Sequence, residues 1–205
     1  EMLRSLYHPH IVRVFDIDFI PNNNNYFLTS EYLNGSSIES FSGSNPSELI
    51  EYFKQILSAL EYLHRLDLIH KDIKPQNIMV VSEKAYLIDF NISNSESSLL
   101  GTARYKDPLV RKMGWTKFSD IYSLVLSFVE VINKSHPFAY NDELPCLDNI
   151  SLEIGGVPKD LSNRLLDVIN HNVDWDEVSD YLAWFKISNS LKIEIPESFA
   201  ISWGI

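Results

Sequence analysis

LIHKDIKPQNIMV, residues 68–80, is the stretch on which the reading of this chain turns. A loop between packed elements is normally polar, since its backbone groups must meet water. Polarity does not explain the order found here: His70, the charged pair Lys71 and Asp72, a second lysine at 74, Pro75 and then Asn77, enclosed by apolar residues. Taken singly, each has an ordinary explanation. His70 at a helix end is a packing residue, and Asp72 is a turn carboxylate. The flanks decide whether the group must be taken together.

Upstream, Leu49, Tyr52, Phe53, Ile56, Leu57, Leu60 and Leu63 recur at spacings of three and four, the apolar stripe of one helix. Asn45 suits its cap, Pro46 its first turn and Glu48 the acidic first-turn position, and the helix should end close to Asp67. Downstream, NIMVV (77–81) and AYLIDF (85–90) predict two short strands joined by the polar turn SEKA. The quoted stretch therefore runs from a helix end into a hairpin. Nearer the start, IVRVFDIDFI (11–20) and YFLTSEYL (26–33) suit adjacent antiparallel strands across the PNNNN loop. Residues 34–46, rich in Ser, Gly and Asn, mark a boundary where composition passes from β to α. Residues 118–132 are apolar around most of a helix circumference, which predicts a central buried helix. Helical patterns return near 160–170 and 174–185, and Trp175, Trp184 and Trp203 are expected to anchor a small helical core.

With 205 residues, 45% of them hydrophobic and 12% aromatic, the chain can bury the core of one medium domain. Its formal charge of -11 argues against binding phosphate backbones, so nucleic acid is not an expected partner. Cys146 is the single cysteine, which excludes an internal disulfide and a zinc cluster and points to a reducing, cytoplasmic setting. The longest apolar stretch, 121–132, is interrupted by Ser123, Ser127 and Glu130 and falls short of the ~20 residues that span a bilayer. No basic and apolar leader opens the chain, so neither a signal peptide nor a membrane is expected.

Transfer of a phosphoryl group from a magnesium-bound nucleotide needs a base or orienter for the attacking hydroxyl, a cation near the phosphate, and oxygen ligands for the metal. Asp72, Lys74, and the pair Asn77 and Asp89 supply these three types within one hairpin. The step from Asp72 to Asn77 lets one loop set a base and a metal ligand around one phosphate, and the hairpin turn folds Asp89 back to the same place. As a set, these four are not explained by turn chemistry.

HKDIKPQN (70–77) and IDFN (88–91) resemble the catalytic loop H-R-D-L-K-x-x-N and the metal-binding D-F-G of the eukaryotic-like Ser/Thr protein kinase family. HPHIV (8–12), EYLNGSSI (31–38), GTARYKDP (101–108), SDIYSL (119–124) and HPF (136–138) follow in the family's order, so the resemblance covers roughly residues 1–170. Lys74 favours Ser/Thr over tyrosine or small-molecule acceptors. The resemblance implies an α+β, protein kinase-like fold. In it, residues 1–33 are a residual N-lobe with a helix end, a β-hairpin and the hinge, and residues 34–205 are a mostly helical C-lobe with catalytic loop, metal-binding loop and activation segment. It implies ATP and Mg2+ as cofactors and a protein Ser or Thr as substrate; it leaves the oligomeric state open. Residue by residue, Asp72 and Lys74 would be catalytic, and Asn77 and Asp89 would hold the metal. The Glu31 carbonyl, the Leu33 backbone and Met79 would meet adenine. Thr102 would bond Asp72 and Lys74. His70 and Phe90, with Leu3 and Val14, would form a packed column, and Asp120 would pin the catalytic-loop backbone. Ser93, Ser95, Ser97 and Ser98 resemble a phosphorylatable activation loop.

The sequence also departs from the family. Asn91 stands for the D-F-G glycine, a position of unusual backbone angles that Asn tolerates. Lys71 replaces the loop arginine and loses its bidentate fork. Leu109 replaces the glutamate of A-P-E, and no arginine follows Arg164, so both halves of that bridge are expected to be absent. Losing both is cheaper than losing one, which costs about 3–5 kcal/mol when the pair is buried. The 205 residues hold no G-x-G-x-x-G and no V-A-I-K equivalent, and alignment puts the lysine's glutamate partner just before Glu1. A fragment of a longer kinase is therefore expected, with Leu3, Val12 and Val14 exposed on its cut face. The alternative is a pseudokinase or docking module, which would have no need of Asp72, Lys74, Asn77 and Asp89.

Overall fold

A computed structural model of the chain describes residues 2–20, 25–90, 101–138 and 150–187. A short helix, α1 (Met2–Ser5), precedes the antiparallel hairpin of β1 (Val14–Ile20) and β2 (Asn25–Ser30). Strand β1 starts later than its apolar run suggests, because Ile11 and Val12 have another partner. The Val12 N–H donates to the Leu87 carbonyl and the Leu87 N–H to the His10 carbonyl, both at 2.9 Å. This docking buries Val12 and Val14 and leaves Leu3 half-buried against the core, which corrects the expectation of an exposed apolar face there. Among the described side chains, the hairpin exposes the large apolar Phe15, Phe19 and Phe27.

Residues 34–46 are more than a boundary. Ser36–Ser37 form β3, which pairs with Val80 and Met79 of β4 (Ile78–Val81), and a 3-10 turn at Ile38–Phe41 buries Ile38. Two strand residues and one apolar anchor are too short to show periodicity. Gly35 is required at this crossing, since a Cβ there would lie 2.1 Å from the Val80 carbonyl oxygen. Strand β5 (Lys84–Leu87) returns on β4 through Ser82 and Glu83, both at positive φ, a two-residue turn whose twist matches the strands. Lys84, read from the sequence as a turn residue, belongs to the strand.

The principal helix, α2 (Pro46–Arg65), begins as its sequence dictates, with the Asn45 side chain accepting from the Ser47 N–H and Pro46 in the first turn. Beyond the short α3 (Val110–Met113), α4 (Lys117–Asn133) opens with a capping box between Thr116 and Ser119 and is buried on nearly every side. Its serines are compatible with that burial because their hydroxyls bond back. Ser123 donates to the Ser119 carbonyl (2.9 Å) or to that of Tyr105 (2.8 Å), and Ser127 to the Ser123 carbonyl (2.7 Å). Helices α2 and α4 meet at Phe53 and Phe128, whose rings are 4.5 Å apart. Truncating a ring so placed costs about 3–5 kcal/mol.

Helix α5 (Lys159–Ile169) turns Leu161, Leu165, Val168 and Ile169 inward. The expected helix over 174–185 is instead a 3-10 turn at Trp175–Glu177 followed by α6 (Tyr181–Trp184). Asp174 accepts from the Asp176 N–H and Asp180 from the Ala183 N–H, and two capping aspartates so close together divide what one helix would span. Trp175 is buried here, 5.0 Å from Tyr181 and 5.3 Å from Trp184. Trp203 lies outside the described residues. No helix among the described residues is long and apolar enough to cross a membrane.

Candidate active site

The site is hung from α4. Asp120, only 1% exposed, sits in the first turn of that helix. Its Oδ2 accepts from the His70 N–H (2.7 Å) and from His64 Nε2 (3.0 Å), and its Oδ1 accepts from the Lys71 N–H (2.9 Å). His64 accepts in turn from the Tyr181 hydroxyl at Nδ1 (2.8 Å), so α2, α4 and α6 all brace the same carboxylate. The anchored backbone is unusual: Lys71 has φ of 70°, in the left-handed region that side chains disfavour.

His70 then links the two arms of the hairpin. Nδ1 accepts from the Asp72 N–H (3.3 Å) and Nε2 donates to the Ile88 carbonyl (3.0 Å), which fixes one neutral tautomer. Burial holds its pKa below the ordinary histidine value, against the opposing pull of Asp120. The Phe90 ring lies 5.0 Å from it. Val14 and Phe90 line one cleft, whereas Leu3 is not among the lining residues.

Asp72 is the most heavily bonded group of the site. The backbone N–H and the hydroxyl of Thr102 donate to Oδ1 at 2.9 and 2.8 Å. Lys74 Nζ lies 2.9 Å from Oδ2, with Asn77 Nδ2 at 3.1 Å. Lys74 also donates to the Thr102 hydroxyl (3.0 Å). Burial works to raise the Asp72 pKa, but the hydrogen bonds from Lys74 and Thr102 and the charge of Lys74 outweigh it and hold the carboxyl below its usual value. Gly101 makes the approach of Thr102 possible. It has φ of 79°, and a Cβ there would lie 2.4 Å from the Lys71 carbonyl oxygen.

Asn77 spends both amide hydrogens on Asp72, one on its backbone carbonyl (2.8 Å) and one on its carboxylate. Its Oδ1 is left with no donor among the described residues. The Ile88 N–H donates to the Asn77 carbonyl (3.0 Å), which sets the next residue, Asp89, beside it. Asp89 is exposed, has φ of 59°, and makes no hydrogen bond or ion pair among the described residues. An amide oxygen and a carboxylate without protein partners are the donor set of a hard divalent cation that keeps other oxygen ligands. No cluster of three His, Cys, Asp or Glu side chains competes for that cation among the described residues.

Asp89 also lines a cleft of about 390 Å³ under the first hairpin, walled by Val12, Val14 and Leu28 with Met79 opposite. Glu31 and Leu33 lie along it. The Glu31 N–H is engaged with the Arg13 carbonyl (2.9 Å), and the Leu33 N–H makes no hydrogen bond among the described residues. The apolar walls and these backbone groups suit a flat heterocycle, which is the shape of an adenine ring.

Three ties at the site were not read from the sequence. One is His64 with Tyr181; its only signal is a polar residue on the buried stripe of α2. A second joins Arg104 and Tyr105 to Glu130, at 2.6 and 2.7 Å. The third lies where the family's bridge would be. Leu109 does replace the family's glutamate, but Asp107, 2% exposed, accepts from His171 Nε2 (3.0 Å), the Leu109 N–H (2.8 Å) and the Ser119 hydroxyl (3.4 Å). The end of the segment is thus tied to the region after α5 by a different pair, while Arg164 lies over the Trp184 ring, 4.9 Å from its centre. Glu1, Asn91, Ser93, Ser95, Ser97, Ser98 and Cys146 fall outside the described residues.

Comparison with solved structures gives the class. The chain is similar to the kinase domain of Mycobacterium tuberculosis PknI, with a TM-score of 0.67 over 90% of this chain and 72% of that one, at 20% identity. The fold is the α+β fold of protein kinases. The family model described as "Protein kinase domain" matches residues 1–183, and the chain belongs to that family. Relatives include serine/threonine-protein kinase PknG of Mycolicibacterium smegmatis, 31% identical over 162 residues, covering 73% of this chain and 21% of that protein. Serine/threonine-protein kinase PrkC of Bacillus subtilis is 31% identical over 148 residues, covering 65% and 22%. Aurora kinase of Dictyostelium discoideum is 29% identical over 200 residues, covering 83% and 52%. The chain spans about a fifth of the length of the first two.

Proposed function

We propose that this chain supplies the catalytic loop, metal ligands and substrate-facing segment of an ATP-dependent Ser/Thr protein kinase. In this reading residues 1–33 contribute a helix end, two strands and the hinge over the nucleotide, and residues 34–205 contribute the lobe that carries the chemistry. The observation that carries it is the Asp72 carboxylate, kept ionised by Lys74 and Thr102 beside two oxygens, on Asn77 and Asp89, without partners among the described residues. Bound in the cleft, the magnesium nucleotide supplies the phosphoryl group for transfer. Asp72 receives the hydrogen bond of the attacking Ser or Thr and orients it. Lys74, held at the Thr102 hydroxyl, keeps its ammonium where phosphoryl charge develops. Asn77 Oδ1 and Asp89 hold the cation, and Met79 with the Glu31 and Leu33 backbone meets the ring.

The test is transfer of radiolabelled phosphate to a Ser peptide by a protein that extends these residues upstream with a glycine-rich loop and strand lysine, run beside calorimetric binding of magnesium ATP. Asp72→Asn is expected to abolish transfer while nucleotide affinity stays within a few-fold, because Asp72 touches the hydroxyl and not the nucleotide. Asp89→Ala is expected to remove the magnesium dependence of binding. Equal loss of binding and turnover in Asp72→Asn would contradict the role given to that residue.

A further inference from the structure

The Asp120 carboxylate that carries the catalytic loop is itself held by a line of polar groups that ends on α6. Its Oδ2 takes two hydrogens, one from the His70 N–H and one from His64 Nε2. A carboxylate only accepts, so Nε2 of His64 carries a hydrogen and Nδ1 is left as the acceptor of the ring. The Tyr181 hydroxyl, 2.8 Å away, fills it. Burial raises the Tyr181 pKa, so the phenol keeps the hydrogen it donates.

Tyr181 is fixed for this contact from several sides. Its backbone N–H donates to Glu61 Oε2 (3.2 Å), so the first residue of α6 is tied to α2 through Glu61 and through His64, one helical turn apart. Its buried ring packs 5.0 Å from that of Trp175 and meets the His64 ring edge-on at 5.7 Å. Packing therefore sets the ring, and the hydroxyl is what the ring presents to His64. Between that oxygen and the loop backbone stand only two side chains, those of His64 and Asp120. The far end of the line is the N–H of His70 and of Lys71, the two residues before Asp72, and Lys71 is held there at a φ of 70°.

We propose that Tyr181 is a positioning residue for the phosphotransfer step: its hydroxyl holds His64, His64 holds Asp120 Oδ2, and Asp120 sets the backbone from which Asp72 projects. Tyr181 touches neither nucleotide nor peptide, so its effect falls on the rate of the bound complex and not on binding. Small displacements matter there, since a shift of about 1 Å in a reacting group can cost about a hundredfold in rate. The proposal rests on the phosphotransfer reading of the same loop and adds a residue remote from it that sets its rate.

Tyr181→Phe removes the hydroxyl and keeps the packed ring, which makes it the variant of choice. In the upstream-extended protein it is expected to lower kcat for a Ser peptide about tenfold, with the KM values for peptide and ATP within about twofold of the parent. In the 205-residue protein the His70 and Lys71 amides should exchange about tenfold faster, because their acceptor is less firmly held. Introduced into His64→Phe, which lacks both ring nitrogens, Tyr181→Phe should change neither quantity further. Leu182→Ala loosens α6 at a buried apolar position and should leave kcat within about twofold of the parent. If His64→Phe does not fold, the comparison with Leu182→Ala and the amide exchange decide without it. An unchanged kcat in Tyr181→Phe, a loss that appears in KM instead, effects that add in full on His64→Phe, or an equal loss of kcat in Leu182→Ala would overturn the proposal. If the two amides respond but no Asp72-dependent transfer is found in the longer protein, the phosphotransfer reading fails while the tie from Tyr181 to the loop stands.

Discussion

Removing the Asp120 carboxylate should cost more stability than any other single polar change near the site. Asp120→Ala leaves three donors without their acceptor: the buried N–H of His70 and Nε2 of His64, and the half-buried N–H of Lys71. An unpaired buried donor costs about 1–3 kcal/mol, and removing one member of a buried charged group costs about 3–5 kcal/mol in total. About 4 kcal/mol is therefore expected, against the ~5–15 kcal/mol that holds a domain together. In a chain of this size that lowers Tm by about 8–16 °C, at roughly 2–4 °C per kcal/mol. Asp120→Asn retains the shape and one oxygen but turns an NH2 toward a backbone donor, so about half the loss is expected. Urea unfolding followed by circular dichroism gives the free energies, and hydrogen exchange reads the two amides directly. Both amides should lose protection in Asp120→Ala, because its carboxylate is the acceptor of each. A loss under about 1 kcal/mol, or His70 and Lys71 amides as protected as before, would refute the claim that Asp120 pins the catalytic loop.

Acid should weaken the fold well above the carboxylate range. Burial and then the nearby His10 hold the His8 pKa at about 3 in place of the ordinary 6.5, so between those values the unfolded chain binds a proton that the folded one does not. Stability from this residue is complete above pH 6.5 and is lost as pH falls through the window, by about 2 kcal/mol between pH 7 and pH 5. His8→Phe should flatten that part of the urea midpoint profile, and an unchanged profile would show that His8 is not its source. The Asp107–His171 tie should give a coupling of about 1–2 kcal/mol in a double-mutant cycle of alanine replacements, and a value near zero would mean that it does not anchor the segment. Turnover by the 205 residues alone should fall far below the ~1 per second of a typical kinase. They contain no glycine-rich loop and no strand lysine for the phosphates, and a rate of that order abolished by Asp89→Ala would contradict this.

What was legible in the sequence was local. The Asn45 cap, the α2 stripe, the buried α4 and the β4–β5 hairpin are each specified by neighbours within a few turns, where periodicity and capping chemistry act. The residues around Asp72 were legible for the same reason, since one loop and one hairpin hold Asp72, Lys74, Asn77 and Asp89. What escaped were choices of partner across the chain. His64 and Tyr181 are 117 residues apart, and Asp107 and His171 are 64 apart; a single polar residue at each end leaves no pattern. The positive φ values at Lys71 and Asp89 escaped too. Neither position carries the glycine that would announce it, because hydrogen bonds from outside the loop impose the conformation at Lys71.

The bonding of Asp72 constrains how the proposed chemistry would proceed. A carboxylate has about four acceptor sites. Here Thr102 fills Oδ1 twice, and Lys74 and Asn77 fill Oδ2. A substrate hydroxyl can therefore donate to Asp72 only if one of these donors withdraws. The Thr102 N–H is fixed by the turn at Gly101, and Asn77 is buried with its second amide hydrogen on the Asp72 carbonyl. Lys74 is the one that can move. Its side chain is long and partly exposed, and the Thr102 hydroxyl continues to hold its ammonium when Asp72 is released. A phosphate arriving in the cleft would draw Lys74 toward itself and free Oδ2 in the same motion. Hydroxyl and phosphate would then be accepted together, and without either of them Asp72 keeps its bonds to Thr102, Lys74 and Asn77.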